Sequence, residues 1–332
     1  MISVRKFFIL IVVFLLILLP ILFQSKEVTY TGEVMGTTWK VTLLTNKNHK
    51  NQIQNIFNSI DNDMSSYKDN SLLNKINSSS LNTYISINKD MVNVLKESLR
   101  ICKLTNGAFN ISVGRSVNMW GFGPKNREIN DKNKLLSKTH RHSCNTYAVE
   151  DDDIIKLQDV HLDLSAIAKG YAIDKASIYL EEHDIENYFI ELGGEVKFRG
   201  KKKQGNWSIG IVNPKRISDP IFVFSSKKTE ANSLATSGNY LNKRYIGKKM
   251  YSHTIDPHTN LPISDRPTLS VSVFNESAMT ADALATALNV MGARYGIQFS
   301  NLNSLKTLYV YEDIDGMKII HSTKMLEYFS DE

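Results

Sequence analysis

Apolar residues recur at two spacings along this chain, and the switches between them outline its elements. Ile53, Ile56, Phe57, Ile60 and Met64 keep the three-and-four rhythm of one helix face and predict a helix over about residues 49–62. Met91, Val94, Leu95, Ser98 and Cys102 predict a second helix, stopped near Gly107. Ala168, Tyr171, Ala172 and Ala176 share a face of a third, with Ser165 as its expected cap. Strands are expected at Val34 to Leu44, Val160 to Leu164, Phe189 to Leu192, Val196 to Phe198 and Trp207 to Val212. Leu269 to Phe274 alternates cleanly and feeds an apolar helix that begins near Ala278, and Asp315-Gly316 joins a last hairpin, Leu308 to Tyr311 with Met317 to Ile320. Residues 124–153 are polar and irregular and read as a surface insertion, with His140 and His142 as surface residues rather than metal ligands. No βαβ rhythm, repeat or low-complexity linker appears. The pattern predicts an α+β fold: a single globular domain over 26–332 with a largely antiparallel sheet and flanking helices, preceded by an N-terminal apolar segment.

That segment departs from the rest. Arg5 and Lys6 precede an unbroken apolar run from Phe7 to Leu19, extended past Pro20 to Phe23. A positive start followed by an apolar stretch is an export signal. No small-residue cleavage site and no cysteine for lipid attachment follow, and the run is short for a membrane span. Residues 1–25 are therefore expected to be an uncleaved membrane anchor or a signal peptide. Either places the body outside the cytoplasm, with Arg5 and Lys6 on the cytoplasmic side of a retained anchor.

Composition narrows little further. Hydrophobic residues make up 42% of the 332 and charged ones 22%, as in ordinary globular proteins. The net charge of +6 is spread out; the tight cluster Lys201-Lys202-Lys203 lies between glycines and reads as a solvated hairpin tip. A basic stripe with interleaved aromatics is missing, so no nucleic-acid partner is expected. Of the two cysteines, Cys102 falls on an apolar helix face and reads as core. In an exported protein it could also pair with Cys144, which sequence alone cannot place within bonding distance.

Candidate chemistry begins in Ala278-Met279-Thr280-Ala281-Asp282-Ala283-Leu284-Ala285-Thr286. Asp282 and Thr286 stand one turn apart on one face and offer two hard oxygens of the kind Mg²⁺ prefers. The plain alternative has Thr280 capping the helix, Asp282 favouring its positive end and Thr286 bonding back to the backbone. Asp163 to Gly170 crosses from an expected strand into a helix start, where an anion is favoured. Lys169 in that first turn calls for an anionic partner or else faces solvent. Gly193-Gly194-Glu195 interrupts a strand, as a bulge or as a point of close approach. His253 and Asp256 precede a proline turn; the histidine could move a proton or simply bond within its loop. The stretch Gly107 to Gly123 is rich in glycine and aromatics, suited to stacking a flat ring or to packing.

Taken together and in this order, these stretches resemble the FAD:protein FMN transferases of the ApbE family. The resemblance is carried by Val34-Met35-Gly36-Thr37-Thr38-Trp39, Met64 to Tyr67, Gly107 to Gly123, Asp163 to Gly170, Glu191 to Glu195, Ala235 to Tyr240, His253 to Pro262 and Ala278 to Gly292, across about residues 30–320. It implies transfer of FMN from FAD onto a serine or threonine hydroxyl of an acceptor protein, with Mg²⁺ and release of AMP. It also implies that Ala166, Asp282, Ala285 and Thr286 hold the metal and that His253 is catalytic. Met35, Tyr67, Ala108, Phe109, Asn110, Asp163, Lys169 and Ile255 match positions lining the FAD site. The implied acceptor is a membrane redox subunit, and the implied location is the bacterial inner membrane with the catalytic domain on the periplasmic side. Two departures stand out. The family pattern usually has aspartate where Asn110 stands, and the lipid-attachment cysteine of some members is absent. Two other readings of the same site are an Mg²⁺-dependent FAD pyrophosphatase and an exported flavin-binding protein without turnover.

Overall fold

The computed structural model describes residues 25–124, 143–226, 232–239, 243–246, 249–264 and 267–329. The apolar segment expected at 1–25 lies almost wholly outside the described residues, as do His140, His142 and most of the 124–153 insertion. Among the described residues no helix is long and apolar enough to cross a membrane.

Eight strands form the central sheet: β1 (Lys26–Val34), β2 (Thr37–Thr45), β3 (Tyr188–Leu192), β4 (Glu195–Arg199), β5 (Ser233–Gly238), β6 (Thr268–Asn275), β7 (Lys306–Asp313) and β8 (Gly316–His321). They lie side by side in chain order and every neighbouring pair is antiparallel, so the sheet is one long meander with insertions between its strands. The α+β expectation is met. Four long helices arise within the insertions: α1 (Lys50–Met64), α2 (Lys89–Leu104), α3 (Ala168–Glu182) and α4 (Ala278–Leu302). α1 buries Ile53, Phe57, Ile60 and Met64, as its spacing demands. α2 is capped by the Asn88 side chain, which accepts from the Met91 N–H.

The helices cover one sheet face, burying Val41, Leu43, Ile190, Leu192, Val271 and Val273 beneath them. The opposite face is covered by a hairpin, Ser208–Asn213 with Arg216–Ser225, and by a short 3₁₀ helix at Thr323–Tyr328. Val196, Phe198, Phe274, Leu308 and Val310 point into that second core. Alternate residues thus serve opposite faces, and α4, lodged against the sheet, is apolar nearly all round.

Several expectations are corrected. The strand expected at Val34 to Leu44 straddles a hairpin: Met35 and Gly36 both take positive φ (52° and 71°) and turn β1 into β2. Val160 to Leu164 forms no strand; His161 makes only an isolated bridge to Val113. The tail of the expected irregular insertion is ordered, as Tyr147–Glu150 and Asp153–Lys156 pair in a small sheet. Lys201 to Lys203 is no hairpin tip but part of the passage from β4 to the second-face hairpin. Cys102, buried on α2 as expected, is bonded to Cys144 across 42 residues of sequence.

Candidate functional site

Of the candidate residues, Asp163, Lys169 and Asp282 come together where α3 and α4 begin. Asp174 on α3 is what sets α4 there. Its carboxylate accepts from the Ala278 and Met279 N–H groups (both 3.0 Å) and from the Ser277 hydroxyl (2.7 Å). Lys197 of β4 donates to it at 2.8 Å. Ser277, not Thr280, is the cap of α4; its Oγ accepts from the Thr280 N–H, while the Thr280 hydroxyl donates to Glu97. One turn before Asp174, Gly170 lies so near α4 that a Cβ would sit 2.3 Å from the Ala278 carbonyl oxygen. Any larger residue there would force the two helices apart.

The close approach brings Asp282 onto the start of α3. Its Oδ2 accepts from the Gly170 N–H at 3.2 Å, one of the N–H groups left without an intrahelical acceptor at a helix start. The Lys169 Nζ stands 3.8 Å from Asp282 Oδ2 and 3.4 Å from Glu195 Oε1. The anion that Lys169 in the first turn calls for is therefore the protein's own pair of carboxylates. Both acids are 5% exposed. Burial pushes the Asp282 carboxyl up, against the pull of Lys169 and the Gly170 N–H. Burial likewise pushes Glu195 up to about 8, with Lys169 opposing and the Asp282 charge adding to the rise. Burial alone would push the Lys169 ammonium down, but Asp282, Glu195 and Asp163 together hold it above the usual lysine range.

Two hairpin turns close over this cluster. Gly193 and Gly194, at positive φ, turn β3 into β4; a Cβ on Gly193 would lie 2.9 Å from Thr37 and 3.4 Å from the Lys169 side chain. The Met35-Gly36 turn is therefore beside the Lys169 pocket, with Met35 partly packed on the core. Gly193-Gly194 is a tight turn and not a bulge. Ser165 does not cap α3. Its N–H and hydroxyl both donate to Asp163 Oδ1, and the Asp163 N–H donates to the Ile111 carbonyl at 2.7 Å. That bond joins the Asp163 loop to the stretch Ala108, Phe109 and Asn110. Tyr67 is 66% exposed, and its hydroxyl donates to the Phe122 carbonyl at 3.0 Å. Burial and the neighbouring Asp163 charge push that phenol up.

The side chains of Ala108, Phe109 and Ile255 are buried, so a ligand there would meet their main chain. The Gly107 to Gly123 stretch packs against the loop after His253: Trp120 stacks on Tyr251 and its indole N–H donates to the Asn260 carbonyl. His253 is half-buried between Ser252, whose hydroxyl donates to Asn239, and Thr254, whose Oγ1 accepts from Asn289. Asn289 follows Asp282 by about two turns on the same face of α4, so the histidine's loop is moored to the helix that carries Asp282 and Thr286.

A cation at Asp282 fits these residues. Two buried carboxylates share a single lysine, and Glu195 Oε2 is buried with no hydrogen-bond partner, so acceptor oxygens remain to be matched. Among the described residues no three His, Cys, Asp or Glu side chains converge as a metal cage. A metal there would depend on Asp282, the Thr286 hydroxyl, carbonyls such as those of Ala166 and Ala285, water and substrate oxygens. Mg²⁺ favours such a set. Sequence reasoning overlooked Asp174 and Asn289 and gave Glu195 no role. Asn289 left a visible signal, an amide in an otherwise apolar helical run. Asp174 left none, because its partners are a β4 lysine and groups at the start of α4 more than a hundred residues away.

Comparison with known proteins gives the family and the fold. The profile of the ApbE family matches residues 35–309. The chain is 32% identical to a FAD:protein FMN transferase of Vibrio cholerae over 322 residues, covering 92% of this chain and 94% of that protein. It is 30% identical to one from Haemophilus influenzae, covering 88% and 89%. Among solved structures, the flavin transferase ApbE from Vibrio cholerae superposes with a TM-score of 0.82 at 30% identity, over 92% of this chain and 99% of that one. The Thermotoga maritima ApbE protein gives 0.80 at 26% identity, over 91% and 99%. The chain belongs to the ApbE family.

Proposed function

We propose that this protein is an Mg²⁺-dependent transferase that moves FMN from FAD onto a serine or threonine hydroxyl of an acceptor protein, releasing AMP. One observation carries the site assignment: a buried aspartate, Asp282, is held by the helix-start N–H of Gly170 and faces Lys169, on the helix that presents Thr286 one turn later. The family relationship supplies the substrate.

In this reading Asp282, Thr286 and the carbonyls of Ala166 and Ala285 hold the metal. When bound, Mg²⁺ offsets charge on the pyrophosphate. Lys169 binds and orients the same phosphates through its ammonium. The acceptor hydroxyl oxygen forms the new bond to the FMN phosphorus, and the bond from that phosphorus to the AMP oxygen breaks. The hydroxyl proton passes to His253, and AMP departs with the bonding electron pair. Met35, Tyr67 and the main chain of Ala108, Phe109, Asn110 and Ile255 line the flavin nucleotide, with Asp163 between Tyr67 and Lys169.

The acceptor class we infer is a membrane redox subunit, and the location we infer is the outer side of the cytoplasmic membrane, with residues 1–25 as anchor or signal. The Cys102–Cys144 disulfide supports export, because such bonds persist in oxidising compartments. Co-expression with candidate subunits, followed by mass spectrometry, tests the reaction: a covalent FMN adduct on Ser or Thr is expected, lost with EDTA or with Asp282→Ala. FMN and AMP formed from FAD without any adduct would establish hydrolysis instead, and FAD retained unchanged would establish binding alone.

A further inference from the structure

Lys169 stands on the ground a metal ion would claim. Its ammonium lies 3.8 Å from Asp282 Oδ2 and within 3.4 Å of Glu195 Oε1, so it already supplies the cation that the buried aspartate needs. An ammonium and a divalent ion cannot both take Asp282 as a close partner without strong repulsion. The lysine must yield when the metal arrives, and its long stem allows this while α3 stays fixed. Glu195 marks where it goes. Its Oε1 is nearer the ammonium than Asp282 is, and its Oε2 is buried with no partner, ready to accept a second N–H. The Gly193-Gly194 turn sets that carboxylate at the first residue of β4 and packs against the Lys169 stem.

We infer that Glu195 is a positioning residue that draws the Lys169 ammonium off Asp282 as the metal binds, so that one lysine is first a placeholder for the cation and then a counter-charge for substrate phosphate. The inference rests on the metal reading of Asp282 given above. It makes metal affinity a competition between two cations and assigns Glu195 the role of weakening the competitor.

Mg²⁺ alone, titrated calorimetrically at pH 8.5 without FAD, tests it on the full-length protein. Lys169→Met removes the competitor and should tighten Mg²⁺ binding about tenfold, in the usual range of site-to-site coupling. Lys169→Arg keeps the charge and should return the affinity toward that of the wild type. Glu195→Gln should weaken binding several-fold in the wild-type background and change it little in the Lys169→Met background, since Glu195 acts through the lysine. Thermal melts identify any variant that fails to fold. Unchanged or weaker binding by Lys169→Met, or an equal effect of Glu195→Gln in both backgrounds, overturns the inference while leaving the metal reading intact. Absence of Mg²⁺ binding from every protein, Lys169→Met included, overturns both.

Discussion

Gly170→Ala tests how the register of two helices positions Asp282, the proposed metal ligand. The added Cβ would lie 2.3 Å from the Ala278 carbonyl oxygen and 2.7 Å from the Met279 Cα. Carbon and oxygen sit comfortably at about 3.3 Å or more, so α3 and α4 must part by roughly 1 Å at this point. Both neighbours are backbone atoms of a turn that Asp174 caps, and no side chain can swing aside to make room. Overpacking of this kind costs about 1–3 kcal/mol, from which alanine's better helix propensity returns up to about 1 kcal/mol. The expected net loss is modest, a few degrees in Tm. The site should suffer more. The Gly170 N–H lies 3.2 Å from Asp282 Oδ2, and a further ångström takes it beyond hydrogen-bond range. A hydrogen bond to a charged group is worth about 1.5–3 kcal/mol, so half-saturation by Mg²⁺ should rise roughly tenfold or more. Thermal melts with and without Mg²⁺, and FMN transfer followed against Mg²⁺ concentration, read the two effects separately. A variant that melts within about a degree of the wild type and saturates at the same Mg²⁺ concentration would refute the idea that this contact positions Asp282.

Three further outcomes follow from the same geometry. Asp174→Ala removes the acceptor of four donors and strands the buried Lys197 ammonium; a loss of about 3–5 kcal/mol is expected in denaturant melts, and Asp174→Asn should recover part of it. Glu195 is raised to about 8 by burial, so the metal-free folded state holds a proton that the unfolded chain has already released. Its contribution to stability is complete below about pH 4.5 and is lost as pH climbs toward 8, by at most about 1.4 kcal/mol per unit. Asp282 shifts in the same direction. The stability of Glu195→Gln relative to wild type should therefore rise over that window, and a flat difference in melts between pH 5 and 8.5 contradicts the buried-carboxylate account. Replacing both Cys102 and Cys144 with alanine opens a loop of 42 residues, and chain entropy puts the cost near 4 kcal/mol; a melt unchanged by reduction would show that the unfolded chain is already confined there.

The sequence showed its helices better than its strands, for a physical reason. α1 and α2 each bury one stripe, so their apolar spacing is undiluted. β1 is an edge strand with most residues exposed or half-exposed; Lys26 to Val34 carries too few apolar residues to announce a strand, and its end is absorbed into the apolar start of β2. The second strand of the outer hairpin, Arg216–Ser225, hides in the same way behind a charged, solvent-facing first half. The site was legible as motifs, and its connections were not. Asp282, Thr286 and Lys169 stood out by residue type and spacing. That Lys169 meets both Asp282 and Glu195, with the β3–β4 turn against its stem, depends on contacts between segments far apart in the chain, which no local pattern encodes.

Asn110 shows how structure alters the meaning of a departure from pattern. By sequence alone, an amide in place of the family's usual carboxylate is a lost charge at the nucleotide site. In the fold, its Oδ1 accepts from the Ser112 N–H at 2.9 Å and its Nδ2 donates to the Ser143 carbonyl at 3.2 Å. The first bond identifies the oxygen, and the second then requires an N–H that an aspartate does not have. Ser143 adjoins Cys144, so the amide and the disulfide fasten the same loop to the end of α2 and to the Ala108–Asn110 stretch that it leads into. Ser112, next along, bonds Thr146 through its hydroxyl at 2.6 Å and extends the seam. An ionised aspartate here would set its charge against a carbonyl oxygen in a buried position, a repulsive contact in place of a bond. The exchange of a charge for a donor therefore reads as a change in how the Ser143–Cys144 loop is tied down, and neither of these two Asn110 bonds involves the Asp282–Lys169–Glu195 cluster.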